Sequence, residues 1–396
     1  MAGLLEPDAA LAQVFAAVPP ARSVSLPPGD CLGLVLAADA TACTDLPPFD
    51  RAMMDGYAIR LADAGAAVEL LGEIAAGDGA DRVPLQVGQA YPIMTGAPVP
   101  PGAEAVVPHE QTRRQGQQIC LPERIRPGAN IVPRAGECRA GHAWARAGAV
   151  VTPMTLAAAL GVGAAHLEVH PRPRVAVIAT GSELAADPSA AGQIRDTNGP
   201  MLGAMFQEAG ASVQRQVIGD DAEALLAGLQ SISDADVVVL TGGVSAGTHD
   251  EVPGVLRRLG AEVLFHKVAQ RPGKPLLVAR LGRHLLFGLP GNPLAAHLCA
   301  CRYVLPALRR LARLPHIPVS GRGVLRTTLP ANSEHTWFLP ALIEGGSVLP
   351  LLPFSSADLV QPHQANAYLR LDPGAVEAPA GTEITYTRIG VDAWAR

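Results

Sequence analysis

The 396-residue sequence has no apolar run near the roughly 20 residues that a membrane-spanning helix requires. Its strongest apolar stretches, 175–179 and 237–240, are far shorter, and charges, glycines or prolines interrupt everything longer. A membrane-spanning protein is thereby excluded. The first 20 residues place no basic residue ahead of their apolar stretch and carry Glu6 and Asp8, the wrong electrostatics for a secretory signal, so a cytoplasmic protein is expected. None of the six cysteines (Cys31, Cys43, Cys120, Cys138, Cys299, Cys301) belongs to a C-x-x-C pair, which leaves no disulfide frame or zinc site to propose. They read as small buried hydrophobes. A net charge of −5 with no local basic stripe argues against nucleic acid as a partner. Neither a Walker loop nor a G-x-G-x-x-G fingerprint is present, which disfavours an ordinary ATPase or dinucleotide enzyme. Lysine itself is almost missing: of 31 basic residues only Lys267 and Lys274 are lysines, seven positions apart.

What the chain does have is apolar surface for several cores, with 48% hydrophobic and 17% charged residues, and 41 glycines and 36 prolines spread along its length. Two to four domains are expected. The N-terminal stretch 7–18 puts Leu11, Val14, Phe15 and Val18 on one helical face, with Pro7 in the first turn. From about 44 to 141, short alternating runs (67–71, 105–107, 117–121) broken by glycine and proline predict a small β-rich module. A helical stretch at 154–160 then leads into a proline-rich punctuation at 170–173. Beyond it, strands at 174–180, 212–218 and 236–241 alternate with helices at 198–209 and 221–232, the order of a parallel, doubly wound sheet. The pattern continues with a helix at 252–259, strands at 262–268, 276–279 and 284–288, and a long helix from 293 to about 311. After Pro315 the helical period disappears, and strands at 324–329, 336–343, 367–371 and 383–389 predict a C-terminal β module. The expected organisation is a helical and linker region (1–45 with 142–170), the β-rich module (46–141), the α/β domain (171–314) and a barrel-like C-terminal domain (315–396).

A doubly wound sheet binds its ligand beyond the C-terminal ends of its strands, which selects four loops. Thr180-Gly181-Ser182-Glu183 and Thr241-Gly242-Gly243-Val244-Ser245 offer hydroxyls and consecutive N–H groups with no side chain in the way, the makings of an anion nest. Each is equally readable as a tight strand-to-helix turn. The third loop carries Lys267, Arg271 and Lys274; in an arginine-rich chain, two lysines here suit compact point charges facing a ligand with more than one phosphate-like group, against the plainer reading of a solvated loop. The fourth, Pro290-Gly291-Asn292-Pro293, fits a helix start with Asn292 as N-cap and still presents free N–H groups. Glu183, Asp220, Asp221 and Asp250 share the region. Asp221 suits the N-cap of the next helix, whereas carboxylates beside phosphates suit Mg²⁺, with Asp250 as first choice of ligand; His249 beside it reads as a hydrogen-bonding residue. Two further motifs, 49–58 around Asp55 and 93–98 around Thr95, read by composition as Asp-Gly and Gly/Pro turns.

Those two motifs, with Thr241-Gly242-Gly243-Val244-Ser245, Pro272-Gly273-Lys274-Pro275 and Gly288-Leu289-Pro290-Gly291-Asn292-Pro293 in that order, resemble the molybdopterin molybdenumtransferase family, the bacterial molybdenum-cofactor insertases similar to the E domain of gephyrin. The resemblance covers essentially the whole chain. It implies an elongated homodimer of four-domain subunits that inserts molybdate into adenylylated molybdopterin with Mg²⁺-dependent release of AMP. It implies a site shared between subunits: Asp55 and Thr95 from one, and Glu183, Asp220, Asp250, Lys267 and Lys274 from the other. It also implies substrate contacts from Thr180, Gly181, Ser182, Thr241, Gly242, Gly243, Ser245, Arg271, Pro290, Gly291 and Asn292, and, near molybdate, Ser355 and Ser356. Transient contact with the adenylyltransferase and with recipient molybdoenzymes follows from the same resemblance. Arg271 stands where many relatives have lysine, 334–341 lacks the arginines relatives usually show there, and Ala357 follows Ser355-Ser356 where relatives often have arginine. These departures motivate a second reading, a non-catalytic dimeric scaffold of the same fold that binds a protein partner. A molybdopterin adenylyltransferase is a third.

Overall fold

The structure is a computed structural model that describes residues 4–79, 81–185, 190–219, 221–244, 251–390 and 393–394. The chain folds as two compact units, residues 24–169 and residues 1–23 with 170–396.

In the first of these, a six-stranded sheet runs in the order Ala105–Pro108, Gly56–Ile59, Gln89–Ile93, Ala67–Leu70, Gln118–Cys120, Arg113–Gln115. Its strands are short because glycine and proline interrupt the text so often, and small apolar clusters around Ile74 and Ile93 and around Ile59 and Ile119 hold it together. A smaller layer joins Val24–Leu26, Leu167–His170 and Val35–Leu36 to the helix Pro153–Gly161, whose N-cap Thr152 accepts from the Thr155 N–H at 3.2 Å.

The other unit holds an α/β sheet in the order Ser212–Ile218, Arg174–Thr180, Val237–Thr241, His284–Leu289, Leu277–Leu281, Glu262–His266. Alternate residues of the central strands feed opposite faces. Val175, Val177, Val237, Val239 and Phe287 pack with Leu202 and Phe206 of the helix Asn198–Glu208 on one side, while Ile178, Val238, Leu240 and Leu286 pack with Leu225 and Leu229 on the other. Burial of a side chain such as Leu202 or Phe206 is worth about 1.5–3 kcal/mol, which is why these runs tolerate no charge. The N-terminal helix Pro7–Ala17 lays Ala10 and Val14 into the first of these clusters, with Leu11 and Val18 beside it; Phe15 stands edge-on to His316 at 5.0 Å.

The sheet is mixed: the strands whose alternation with helices demands a parallel sheet pair in parallel, and the far edge does not. Its first four strands are parallel, but Leu277–Leu281 is antiparallel to both neighbours. The cause is connection length. Leu281 is joined to His284 through Gly282 at φ +57°, and parallel neighbours need a crossover of a dozen or more residues. The long helix is also interrupted, as Pro293–Cys299, a π-turn over Ala300–Val304, and Leu305–Leu311. Pro306 cannot donate to the preceding turn, which is a physical reason for the irregularity ahead of it.

C-terminal to this, Thr336–Glu344, Ser347–Pro350, Ser320–Leu325, Glu383–Arg388 and Ala367–Leu371 pair in that order, and the last pairs back with the first, closing a five-stranded barrel around Leu339, Leu369 and Val348. The strand Ser347–Pro350 was not among those anticipated. The short strand Gln270–Arg271 adds to the barrel in parallel with Thr336–Glu344.

Candidate active site

The strand order of the α/β sheet puts its reversal between Arg174–Thr180 and Val237–Thr241, so the crevice of a doubly wound sheet falls at Thr180 and Thr241. Three loops meet there. The Thr180 hydroxyl donates to the Thr241 carbonyl at 3.4 Å, and the Thr241 hydroxyl donates to the Pro290 carbonyl at 3.4 Å. Gly242 (φ +94°) passes so close that a Cβ would fall 2.3 Å from the Thr180 carbonyl oxygen, and one at Gly291 would fall 3.7 Å from the Gly242 Cα. Only glycine meets both the left-handed backbone and the spacing at Gly242.

Asn198, at the start of its helix, ties these loops together and was not anticipated as a site residue. Its amide nitrogen donates to the Thr241 hydroxyl at 2.8 Å and to the Gly291 carbonyl at 2.7 Å, while its buried amide oxygen has no partner among the described residues. In sequence it was visible only as an asparagine at a helix start. Asp196 accepts from the Gly199 N–H at 2.8 Å, so the first turn of this helix stands at the crevice with its positive dipole end.

The remaining sequence-selected residues fall as follows. Gly181 follows Thr180, and the Glu183 carboxylate folds back over it, within 2.6 Å of where a Gly181 Cβ would stand. Ser182 is exposed and has an interaction of its own. Gly243 lies against the Thr180 hydroxyl. Asp221 caps its helix, accepting from the Ala224 N–H at 2.7 Å. Asn292 occupies the N-cap position without capping; its side chain instead donates to the Ser356 hydroxyl at 2.7 Å, and the Leu294 N–H donates to the Ser356 carbonyl at 3.2 Å. That brings the Ser355-Ser356 loop of the barrel to the 290–292 loop. Asp220, Ser245, His249 and Asp250 lie outside the described residues.

The lysine loop leaves the same edge of the sheet, where the His266 ring bonds the Val244 carbonyl at 3.0 Å. Lys267 adopts φ +77°, a left-handed conformation costly for a side-chain-bearing residue. Among the described residues neither lysine ammonium has a hydrogen-bond or ion-pair partner. Arg271 is differently placed: its guanidinium lies 3.9 Å from the Trp337 ring centre and donates to the Asn332 side chain at 3.3 Å.

In the other unit, Asp55 and Thr95 form an exposed pair. The Asp55 carboxylate accepts from the Thr95 N–H at 2.6 Å and from its hydroxyl at 2.7 Å, and these bonds hold the carboxyl below the ordinary carboxylate value. Gly56 is forced by its neighbour, since a Cβ would fall 2.1 Å from the Val107 carbonyl oxygen.

Among the described residues no group of three or more His, Cys, Asp or Glu side chains is arranged for a metal. The crevice thus brings together two threonine side chains, close-packed glycine loops and a helix start, beside a loop whose two ammonium groups have no partner among the described residues.

Comparison with known proteins fits this geometry. Residues 5–163 match the family model for the MoeA N-terminal region (domain I and II), and residues 176–310 match that for a probable molybdopterin binding domain. The chain is 36% identical over 382 residues to molybdopterin molybdenumtransferase 2 of Mycobacterium tuberculosis, covering 92% of this chain and 94% of that one. It is 35% identical over 366 residues to the molybdopterin molybdenumtransferase of Bacillus subtilis, covering 87% and 85%. The crystal structure of the molybdopterin biosynthesis MoeA protein of Pyrococcus horikoshii superposes with a TM-score of 0.82 at 28% identity, over 98% of this chain and 99% of that one. The chain therefore belongs to the molybdopterin molybdenumtransferase family of molybdenum-cofactor biosynthesis.

Proposed function

We propose that this protein inserts molybdate into adenylylated molybdopterin with Mg²⁺-dependent release of AMP, as a cytoplasmic homodimer of four-domain subunits divided as the sequence pattern suggests. The observation that carries this reading is the crevice in which Asn198 joins the Thr241 and Gly291 loops, beside a loop with two unpaired lysines. Backbone N–H groups and the first turn of the helix Asn198–Glu208 suit a pyrophosphate, whose oxygens Lys267 and Lys274 approach as point charges, while the Thr180 and Thr241 hydroxyls, donating to carbonyls, fix the loops around it. Donors fixed before the ligand arrives need no reorganisation as charge builds on the phosphoryl oxygens. Ser355 and Ser356, brought to Asn292, suit the molybdate oxygens.

A hard dication takes one or two carboxylates plus substrate oxygens, and Glu183, folded over Gly181 at the crevice, is a donor of that kind; Asp250 and Asp220, which the family resemblance adds, lie outside the described residues. When bound, Mg²⁺ supplies charge that offsets the phosphoryl oxygens. Asp55 and Thr95 of a second copy complete the cavity, their mutual hydrogen bonds keeping the carboxylate charged and fixed.

Purified protein given adenylylated molybdopterin, Mg²⁺ and molybdate should release AMP in step with molybdenum uptake. Lys274→Ala should weaken substrate binding about tenfold, and Asp250→Ala should lower turnover more than binding. A scaffold reading draws on the barrel strand Thr336–Glu344, which carries no arginine, and on the nearby Phe354, 96% exposed. Tight substrate binding without AMP release would favour it, and ATP consumption with molybdopterin alone would favour an adenylyltransferase.

A further inference from the structure

We infer that Gln270 is a positioning residue for Lys267 and Lys274: its buried amide fixes the loop from which both extend. The inference rests on the anion-binding reading of that loop.

The loop is closed at its base, where the Lys267 N–H donates to the Leu276 carbonyl at 2.8 Å and the Val268 N–H to the Lys274 carbonyl at 2.9 Å. Gln270, inside it, exposes no surface. Its amide nitrogen donates to the Pro272 carbonyl at 3.2 Å and the Gly273 carbonyl at 3.5 Å, and its amide oxygen accepts from the Tyr303 hydroxyl at 2.5 Å. The Cys299 thiol donates to the same Gly273 carbonyl at 3.8 Å. Tyr303 belongs to the π-turn Ala300–Val304 and is itself fully buried.

A buried amide is tolerated only where its donors and acceptor are satisfied. The Gln270 amide nitrogen also lies 3.6 Å from the Cys299 sulfur, a weak acceptor, but both of its oxygen partners are carbonyls of the lysine loop itself, so without the loop curled around it the amide would keep that sulfur alone. Gly273 sets the closeness of that wrap: it adopts φ +91°, and a Cβ there would fall 2.6 Å from the Cys299 sulfur and 2.8 Å from the Gln270 amide nitrogen. The outer side is held as well, by the Ala269 N–H donating to the Leu5 carbonyl at 2.8 Å and the Thr336 N–H donating to the Ala269 carbonyl at 3.1 Å. Neither ammonium has a partner of its own among the described residues, so the backbone alone decides where the two like charges stand. Without the buried amide, repulsion between them favours a wider, looser loop.

The test exploits the scarcity of lysine. In the full-length protein an amine-reactive ester can acylate only Lys267, Lys274 and the N-terminal amine, and mass spectrometry separates the three. Gln270→Met keeps length and apolar volume and removes both hydrogen-bonding ends; Tyr303→Phe removes one hydroxyl and serves should the first variant fold poorly. In folded Gln270→Met, the ratio of Lys267 to Lys274 acylation should shift toward one, and protection by inorganic pyrophosphate should require about tenfold more of it; Tyr303→Phe should move both in the same direction by less. A folded variant with a lower melting temperature but the wild-type ratio and protection constant would show ordinary core support and overturn the inference. Should pyrophosphate protect neither lysine in the wild type, the anion-binding reading falls, and the acylation ratio alone still decides whether Gln270 positions them.

Discussion

A Cβ at Gly242 would stand 2.3 Å from the Thr180 carbonyl oxygen on a left-handed backbone, so this one position sets how closely two loops of the crevice approach. Gly242→Ala should destabilise the protein by at least about 2 kcal/mol, because the left-handed φ and the contact with the Thr180 carbonyl oppose a Cβ together; urea unfolding measures it. Asn198 has its partners 43 and 93 residues away, and the Gln270 amide oxygen meets a hydroxyl 33 residues away, so no local pattern marks either residue. The Asp55–Thr95 pair was reached only through family resemblance, its residues being 40 positions apart. Thr95→Val leaves the backbone donor and removes the hydroxyl, so the Asp55 carboxyl should titrate closer to 3.8, as followed by carboxyl NMR. His297 gives a different pH signature. Burial lowers its pKa from 6.5 to about 4, and its Nδ1 shares a hydrogen bond with the Tyr368 hydroxyl at 2.9 Å. Between these values the unfolded chain binds a proton that the folded chain refuses, so the stability contribution is complete above pH 6.5 and declines as pH falls toward 4. The loss is at most about 3 kcal/mol, and less to the extent that water reaches the ring. His297→Gln should flatten the decline in urea-unfolding curves between pH 7 and 4.5.

At the scale of elements, burial pattern and connection length explain both the agreement and the differences. Continuous apolar runs identified the central strands because both faces of the sheet are covered. Strand direction at the far edge is not encoded in hydrophobicity; the short turn at Gly282 sets it. The N-terminal helix was expected from its period, but not its anchorage. Asp8 bonds Arg370 at 2.7 Å and also Arg302, linking that helix to the π-turn and the barrel. Burial opposes its charge, yet the hydrogen bond from Arg370 and the two neighbouring guanidinium groups hold its carboxyl below 3.8. A carboxyl lowered in the folded state contributes stability above its unfolded pKa, and the contribution disappears as pH falls below that value. The Asp8 side chain is largely exposed, so Asp8→Ala should cost no more than about 1 kcal/mol at neutral pH. Calorimetry at pH 7 and pH 3 should show the difference shrinking in acid.

At the scale of the whole molecule, the proposed shared site makes a prediction about mixtures. Asp55→Asn and Lys274→Ala chains should each be inactive as homodimers. Refolded together, half of the dimers would be mixed and each would hold one intact site, so about a quarter of wild-type AMP release should return. No recovery would place both residues in the same subunit's site.

The pairing of Gln270–Arg271 with Thr336–Glu344 has a consequence for how the protein can be cut. The segment bearing both ammonium groups is also a stave laid along a closed cylinder, with Arg271 resting on Trp337. A fragment ending at residue 314 would keep the glycine crevice but strip the lysine segment of its outer wall. Such a fragment is a poor minimal unit for ligand work, however well its parallel strands hold together.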